Sequence, residues 1–312
     1  MKNQNPRIEF YRLRNFSEKL NVTFAFIREN WKPLLKYTFY IIMPICLVQA
    51  YTMNSSMSLY INALSNSASP NSFAGSISGF LVNYGITIIC TFLGSAIMSG
   101  LIYSMMQTYA TRENRLVDVT FNDFKGFLPR NIIKNIRFLL LYFLIIVLIS
   151  AFVVLMAYLS TFTLVLTLPF AFILLILTIP LFLLIPIYVF ERDIKLTDAI
   201  RKTWDFAKAT FWGLLGLLIV LYFISSVLQT IAMVPWYIVT MVGSILSISS
   251  ESMITQSVFY KFALYILGLI QSFGSYVALI IGLIGLAFQY FHAREKVEGV
   301  TIESNISNFD QL

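Results

Sequence analysis

The chain holds one histidine, His292, two cysteines, Cys46 and Cys90, and acids scattered among lysines and arginines. That inventory limits the chemistry. A zinc site built on several histidines, H-E-x-x-H included, needs imidazoles that this sequence lacks. There is no G-x-x-x-x-G-K-[ST] phosphate loop and no G-x-S-x-G nucleophile elbow. Hydrolysis of a phosphodiester calls for clustered carboxylates, a metal and an acid–base histidine. Glu191-Arg192-Asp193 comes nearest, and a salt-bridged loop between an apolar run and the next helix accounts for it. His292, beside Arg294 at the end of an apolar run, sits where an interfacial residue belongs. Cys46 and Cys90 lie inside apolar runs and read as small buried hydrophobes, not a disulfide or metal pair. The expectation is a chain with no catalytic residues, no metal and no cofactor, and not an enzyme.

The remaining candidates are uncharged. Gln107, Gln229, Gln271 and Gln289 interrupt apolar runs. Strongly polar residues there are costly and often mark a pathway, though interhelical hydrogen bonding explains them as well. Gln107, Gln229 and Gln271 form the candidate intramembrane polar site. The second apolar run is rich in small residues (Gly85, Gly94, Ser95, Ser99, Gly100, Ser104), and the last carries Gly282 and Gly285. Close helix packing is their expected role. Pro169, Pro180 and Pro186 are expected to kink the fourth run.

The elements that position these residues follow from composition. The chain has 312 residues, 58% of them hydrophobic and 12% charged. A soluble domain carries about 25% charged residues, so this is a membrane protein. Its 28 Phe and 17 Tyr suit lipid faces and interfacial belts. Six spans are expected, at Leu34–Met53, Val82–Ala110, Phe138–Leu159, Thr161–Phe190, Phe211–Ala232 and Phe259–Phe291. Each reaches the roughly 20 residues needed to cross a bilayer. Phe138 to Phe190 carries no charge and should form a hairpin turning near Ser160–Thr163. The first run starts only near Leu34, after a polar leader, and is too long for a signal-peptide core. Asn54 to Ser72 reads as an uncharged outer loop, with a sequon at Asn54 relevant only to a eukaryotic secretory route. Residues 233–248, with Pro235 and Gly243, read as an outer continuation of span five or a re-entrant piece. Glu251 and Lys261 are expected to pair at the outer interface.

Lys and Arg cluster in four groups: eight from Lys2 to Lys36, six from Arg112 to Arg137, five from Arg192 to Lys208, and Arg294 with Lys296. The positive-inside rule then puts both termini in the cytoplasm. The net charge of +7 is mostly a topology signal. It favours contact with anionic lipid rather than nucleic acid, since no basic domain stands apart from the apolar runs.

Two stretches match at an offset of 180. SEKLNVTFAFIRENWKPLL begins at Ser17 and TDAIRKTWDFAKATFWGLL at Thr197, each feeding directly into an apolar run. Each starts with a capping residue and an acid in its first turn. At about 100° per residue, Leu20, Phe24, Ile27 and Trp31 share one face; Leu196, Ile200, Trp204, Ala207 and Phe211 share the corresponding one. Arg201, Asp205 and Lys208 cluster away from it. Such helices lie in a membrane interface. Phe24, Trp31, Trp204 and Phe211 are the expected anchors, with Arg28, Arg201, Lys202 and Lys208 on the lipid headgroups. A third, weaker copy starts at Thr120, with a Thr120–Asp123 capping box, an apolar face of Phe121, Phe124, Leu128 and Ile132, and a bend at Pro129. The fold class is therefore all-α and polytopic: six spans in three hairpins, each preceded by an amphipathic cytoplasmic helix. Residues 1–312 form one membrane domain, with repeat-like units at 12–110, 115–190 and 194–291 and a tail at 292–312.

The Pro186–Phe190–Glu191 exit of span four, followed by LTDAIRKTWDFAKATFWGLLGLL, resembles the bacterial membrane-domain family named after glycerophosphoryl diester phosphodiesterases. QYFHAREKVEGVTIE, from Gln289 to Glu303, is similar to that family's closing segment, a tyrosine followed by Arg-x-x-x-Glu-Gly. The resemblance implies a six-span bacterial inner-membrane protein. Some members add a soluble phosphodiesterase domain, for which this chain has no room.

The leading expectation is a non-enzymatic protein organising lipid or an unidentified membrane partner through its interfacial helices. The alternative is a transporter or permease for a small apolar or amphiphilic solute, with a membrane enzyme third. A polar-lined cavity among the spans separates them, and its absence dismisses transport.

Overall fold

The computed structural model describes residues 6–65, 70–159, 161–191, 194–248 and 257–300. All regular structure among them is helical. The helices are α1 (Phe16–Ser65), α2 (Pro70–Thr111), α3 (Phe121–Phe124), α4 (Leu128–Leu159), α5 (Thr161–Thr178), α6 (Leu184–Phe190), α7 (Leu196–Ile248) and α8 (Val258–Glu298). Six candidate spans, long and apolar enough to cross a bilayer, lie among the described residues, which makes this a multi-pass membrane protein. The fourth combines the end of α5, a 3₁₀ turn at Ile179–Leu183 and α6. Pro180 has no N–H to donate, and the chain tightens there before α6 resumes. Pro169 stays inside α5.

Several boundaries differ from the sequence expectation. Asn54 to Ser65 is helix, not loop. Ser and Asn suit turns in water, but an apolar setting enforces internal backbone bonding. Asn54 Nδ2 donates to the Leu264 carbonyl at 3.2 Å and its Oδ1 accepts from Trp236 Nε1 at 2.7 Å, so the sequon is no free acceptor. Residues 233–248 continue α7 as one helix, with Pro235 inside it. The segment after His292 prolongs α8 to Glu298, where Gly299 (φ 62°) ends it in the left-handed conformation. The third interfacial segment is broken: α3 is one turn, and α4 begins at Leu128 with Pro129 in its first turn, where its missing N–H leaves no gap. Phe124 and Leu128 are buried there, while Phe121 is exposed. Residues 161–163 of the expected turn at Ser160–Thr163 belong to α5, and residue 160 lies outside the described residues, as does Glu251 of the expected Glu251–Lys261 pair.

The chain divides into two compact units. Unit 1 takes in the described residues of Met1–Trp31, Ser99–Leu221 and Ile281–Leu312. Its core is aromatic: Phe26, Tyr103, Tyr109, Phe206, Phe288, Tyr290 and Phe291 are fully buried. Gly100 admits the α4 backbone, since a Cβ there would meet Ile132. In contrast, the most apolar window of α4 is only 6% buried, so that helix turns its side chains to lipid. Unit 2 comprises Lys32–Met98 and Tyr222–Ile280. Within it, Gly94 lets the Tyr276 ring lie against α2. Cys46 and Cys90 are both free thiols.

Candidate functional site

The two matched stretches of unit 1 bury the same register positions. Lys19, Thr23, Phe26 and Asn30 are buried on α1; Ala199, Thr203, Phe206 and Thr210, each 180 residues on, are buried on α7. Thr23 Oγ1 donates to the Lys19 carbonyl at 2.7 Å and Thr203 Oγ1 to the Ala199 carbonyl at 2.8 Å. Both helices kink at the same position, with non-helical backbone at Asn30 (φ −118°) and Thr210 (φ −134°). In each, the side chain takes the carbonyl four residues back: Asn30 Nδ2 to Phe26 at 2.9 Å, Thr210 Oγ1 to Phe206 at 2.8 Å. That competition with the backbone ladder bends helices.

The expected anchors lie on the outward side. Phe24, Trp31 and Trp204 are exposed, and Phe211 is half-buried beside the 80%-exposed Trp212. Arg28, Arg201 and Lys208 are exposed as well. Lys202 is not among them. Its Nζ lies 2.8 Å from Glu191 and 2.5 Å from Glu298. The reason is invisible to a helical wheel, because the two acids come from the end of α6 and the end of α8. Without Lys202, the exposed ions of this α7 stretch are Asp198, Arg201, Asp205 and Lys208, two of each sign. An interfacial placement of this stretch would therefore rest on its aromatic side chains more than on net charge.

Around Lys202 a charged network closes on itself. Arg294 Nε pairs with Glu298 at 2.7 Å, and its NH1 donates to Tyr11 and Tyr290 hydroxyls at 3.1 Å each. Tyr290 donates in turn to Glu191 at 3.4 Å. All of these residues except Tyr11 come from the end of α6, the first turns of α7 and the end of α8, and their ion pairs and hydrogen bonds tie those three helices together. Nearby, Lys134 donates to the Tyr188 and Glu191 carbonyls, capping α6. Lys19 donates to Gln289 at 2.8 Å. Outside the spans, burial pushes the Arg14 guanidinium below its ordinary value and raises Tyr11. The Arg14 backbone N–H donates to His292 Nδ1 at 3.1 Å, which fixes the histidine as an acceptor.

The three candidate glutamines do not meet. Gln107, in unit 1, accepts from Asn131 at 2.9 Å and donates to the Val189 carbonyl at 3.2 Å, a structural joint. Gln229 and Gln271, in unit 2, line one cleft of about 390 Å³ among segments of α1, α2, α7 and α8. Gln49 joins them, a residue the sequence reading passed over. A polar stripe could have flagged this side: Thr87, Thr91 and Ser95 recur every four residues on α2. Gln49 is 7% exposed; its Nε2 donates to Thr91 at 2.8 Å, while its Oε1 is buried without a partner. The Gln271 Oε1 is buried and unpartnered too. Buried amide oxygens in this state cost stability; Tyr103 Oη, Asn135 Oδ1 and Gln289 Nε2 of unit 1 are in the same state. No Lys, Arg, His, Asp or Glu lines it. Among the described residues, no cluster of three His, Cys, Asp or Glu is arranged to hold a metal.

No family model, curated protein or solved structure matches this chain.

Proposed function

We propose that the chain is a permease or carrier for a small uncharged or amphiphilic molecule, acting without catalysis. The observation that supports it is the uncharged, amide- and hydroxyl-lined cleft of unit 2, with two buried amide oxygens left open. Polar side chains inside spans are retained at a cost in stability and tend to lie on transport paths. Reconstituted vesicles give the test: uptake of small polyols and of amphiphilic amines above protein-free vesicles, lost when Gln229 and Gln271 are both replaced by Leu. Uptake equal to that of empty vesicles removes the reading.

A second reading is favoured by the matched helices of unit 1, whose exposed Phe24 and Trp204 occupy one register position and Arg28 and Lys208 another. Here the protein organises lipid, or a membrane partner, at the interface. Trp204→Ala with Phe211→Ala then speeds backbone hydrogen exchange over 196–210; unchanged protection counts against it. Membership in the phosphodiesterase-named membrane family is proposed on the three converging stretches. Cytoplasmic termini in a bacterial inner membrane are proposed on the grouping of cations. Labelling of a cysteine placed at Lys208 by an impermeant reagent in intact cells overturns that orientation.

A further inference from the structure

The cleft of unit 2 lies deep in the spans and opens sideways. Thr87 stands thirteen residues after Ala74, where the second candidate span begins, and Gln271 thirteen after Val258, where the last begins. At 1.5 Å per residue both lie about 20 Å from those helix ends, well past a headgroup layer. The lining residues Thr87, Thr91 and Ser95 run along α2 for about 12 Å of a hydrocarbon core of roughly 30 Å. On α7 the lining residues Tyr222, Ser226 and Gln229 alternate with Phe223 and Val227, which are exposed, Phe223 by 67%. On α2 Ile88 and Ile89 flank the hydroxyls and are exposed by 50% and 59%. Uncovered apolar side chains beside both polar walls meet acyl chains, so the mouth of the cleft faces lipid.

The open walls both donate and accept. Gln271 turns its oxygen into the protein, which leaves its Nε2 on the cleft side with two protons and no acceptor. The Ser272 and Tyr222 hydroxyls add donors. Gln229 is exposed; one amide proton goes to Ser275 at 3.2 Å, and the other proton and the oxygen are open. Thr91 and Ser226 send their protons to carbonyls of their own helices, both at 2.8 Å, and each keeps a lone pair open. A phosphodiester therefore finds N–H and O–H groups, and an ammonium finds oxygens. Neither finds an opposite charge that would hold it, since the lining carries no ionised side chain. Such a wall lowers the cost of carrying a headgroup through hydrocarbon without trapping it, the balance that passage requires. At ~30 Å³ per water, the cleft has room for about a dozen waters, enough to keep a headgroup partly hydrated on the way.

We infer that the cleft of unit 2 is a track for lipid headgroups, along which the phosphate and ammonium of a zwitterionic lipid cross between leaflets while the acyl chains stay in the bilayer. The inference rests on the permease reading for the choice of site and names the bilayer lipid itself as the amphiphile carried. Lipid crossing with no uptake of small polyols keeps it while removing the solute permease; uptake without lipid crossing does the reverse.

The test uses the full chain in phosphatidylcholine vesicles that carry a trace of phosphatidylcholine with a fluorescent label on its tail. Dithionite added outside bleaches the outer leaflet alone unless lipids cross. With protein, the inner-leaflet label should be bleached too, roughly tenfold or more faster than in protein-free vesicles. A fluorescent glucose analogue trapped inside should stay bright, because the mouth opens to lipid. No acceleration overturns the inference, and so does bleaching of the trapped glucose at the same rate, which means that dithionite itself passes. Neither result needs a variant. Replacing Gln229 and Gln271 together by Leu should slow crossing about tenfold, the size of one lost hydrogen bond, with the melting curve unharmed. Gln229→Lys puts a cation on the track and should favour phosphatidylglycerol over phosphatidylcholine by about fivefold relative to the unaltered protein, a preference that a merely structural glutamine would not set. An unaltered rate in the first variant, or an unaltered preference in the second, overturns the assignment of the track to this cleft.

Discussion

The charged network at the helix ends of unit 1 and the cleft of unit 2 treat polar groups in opposite ways. In that network ions answer one another: Lys202 between Glu191 and Glu298, and Arg294 across Glu298 to two tyrosines. In unit 2 the cleft is lined by amides and hydroxyls, and two of its amide oxygens stay unanswered. The first pattern is what holding helix ends together requires, since an ion in a low-dielectric setting needs a partner. The second is the pattern on which the proposed permease reading rests. The lesson is that the charged residues, which draw the eye, belong here to structure, while the candidate for function lies in residues with no charge.

The contrast predicts mutational effects of opposite sign. The largest should come from Lys202→Met, which keeps the stem and leaves Glu191 and Glu298 without their shared cation. The side chains are partly solvated, Lys202 27% exposed and Glu191 13%, so the full penalty for breaking a buried pair is reduced. A loss of about 2 kcal/mol is expected, read as an earlier unfolding transition in detergent. A variant with unaltered stability would mean that the network of unit 1 is decoration, and the distinction between the units would fail.

Gln271→Leu should go the other way. It removes a buried acceptor that has no partner and substitutes a side chain of similar volume. Stability should hold or rise by up to about 1 kcal/mol, the usual gain when a functional site is traded for packing. A clear loss would show that Gln271 is a structural joint like Gln107, and the cleft would cease to differ from the network.

How much of this was legible follows from where the information lies. The spans were legible because runs of twenty apolar residues have few other uses. The correspondence of α1 with α7 at an offset of 180 was legible because a shared register survives in sequence; the kinks at Asn30 and Thr210 were not, since an Asn and a Thr carry no common signal. The capping positions were off by one or two: Asn15 and Glu18 cap α1 reciprocally at 2.8 and 2.9 Å, ahead of Ser17, and Thr197 lies inside α7. Lys202 was misplaced because a wheel shows which cations share a face, not which acids 11 and 96 residues away come to meet them. Gln49 was missed because one amide in an apolar run carries no signal until the Thr87–Thr91–Ser95 stripe stands opposite.

The smallest effect concerns Asp123, where unit 1 meets water. Its carboxylate accepts from the Thr120 backbone N–H at 2.7 Å and the Thr120 hydroxyl at 2.9 Å, with Arg112 at 3.2 Å. The backbone donor, then the hydroxyl, hold it below the ordinary aspartate value, and Arg112 contributes least. Because the folded value is depressed, the capping contribution is present in full above the unfolded value of about 3.9 and fades as pH falls through the folded one. A carboxyl-carbon NMR titration should find a midpoint below 3.9. Thr120→Ala should raise it only part of the way, since the backbone N–H survives, and Arg112→Ala should raise it less. If the order is reversed, the ion pair and not the capping box holds this turn. The charged logic of unit 1 would then extend to its surface, where hydrogen bonding to the backbone is expected to take over.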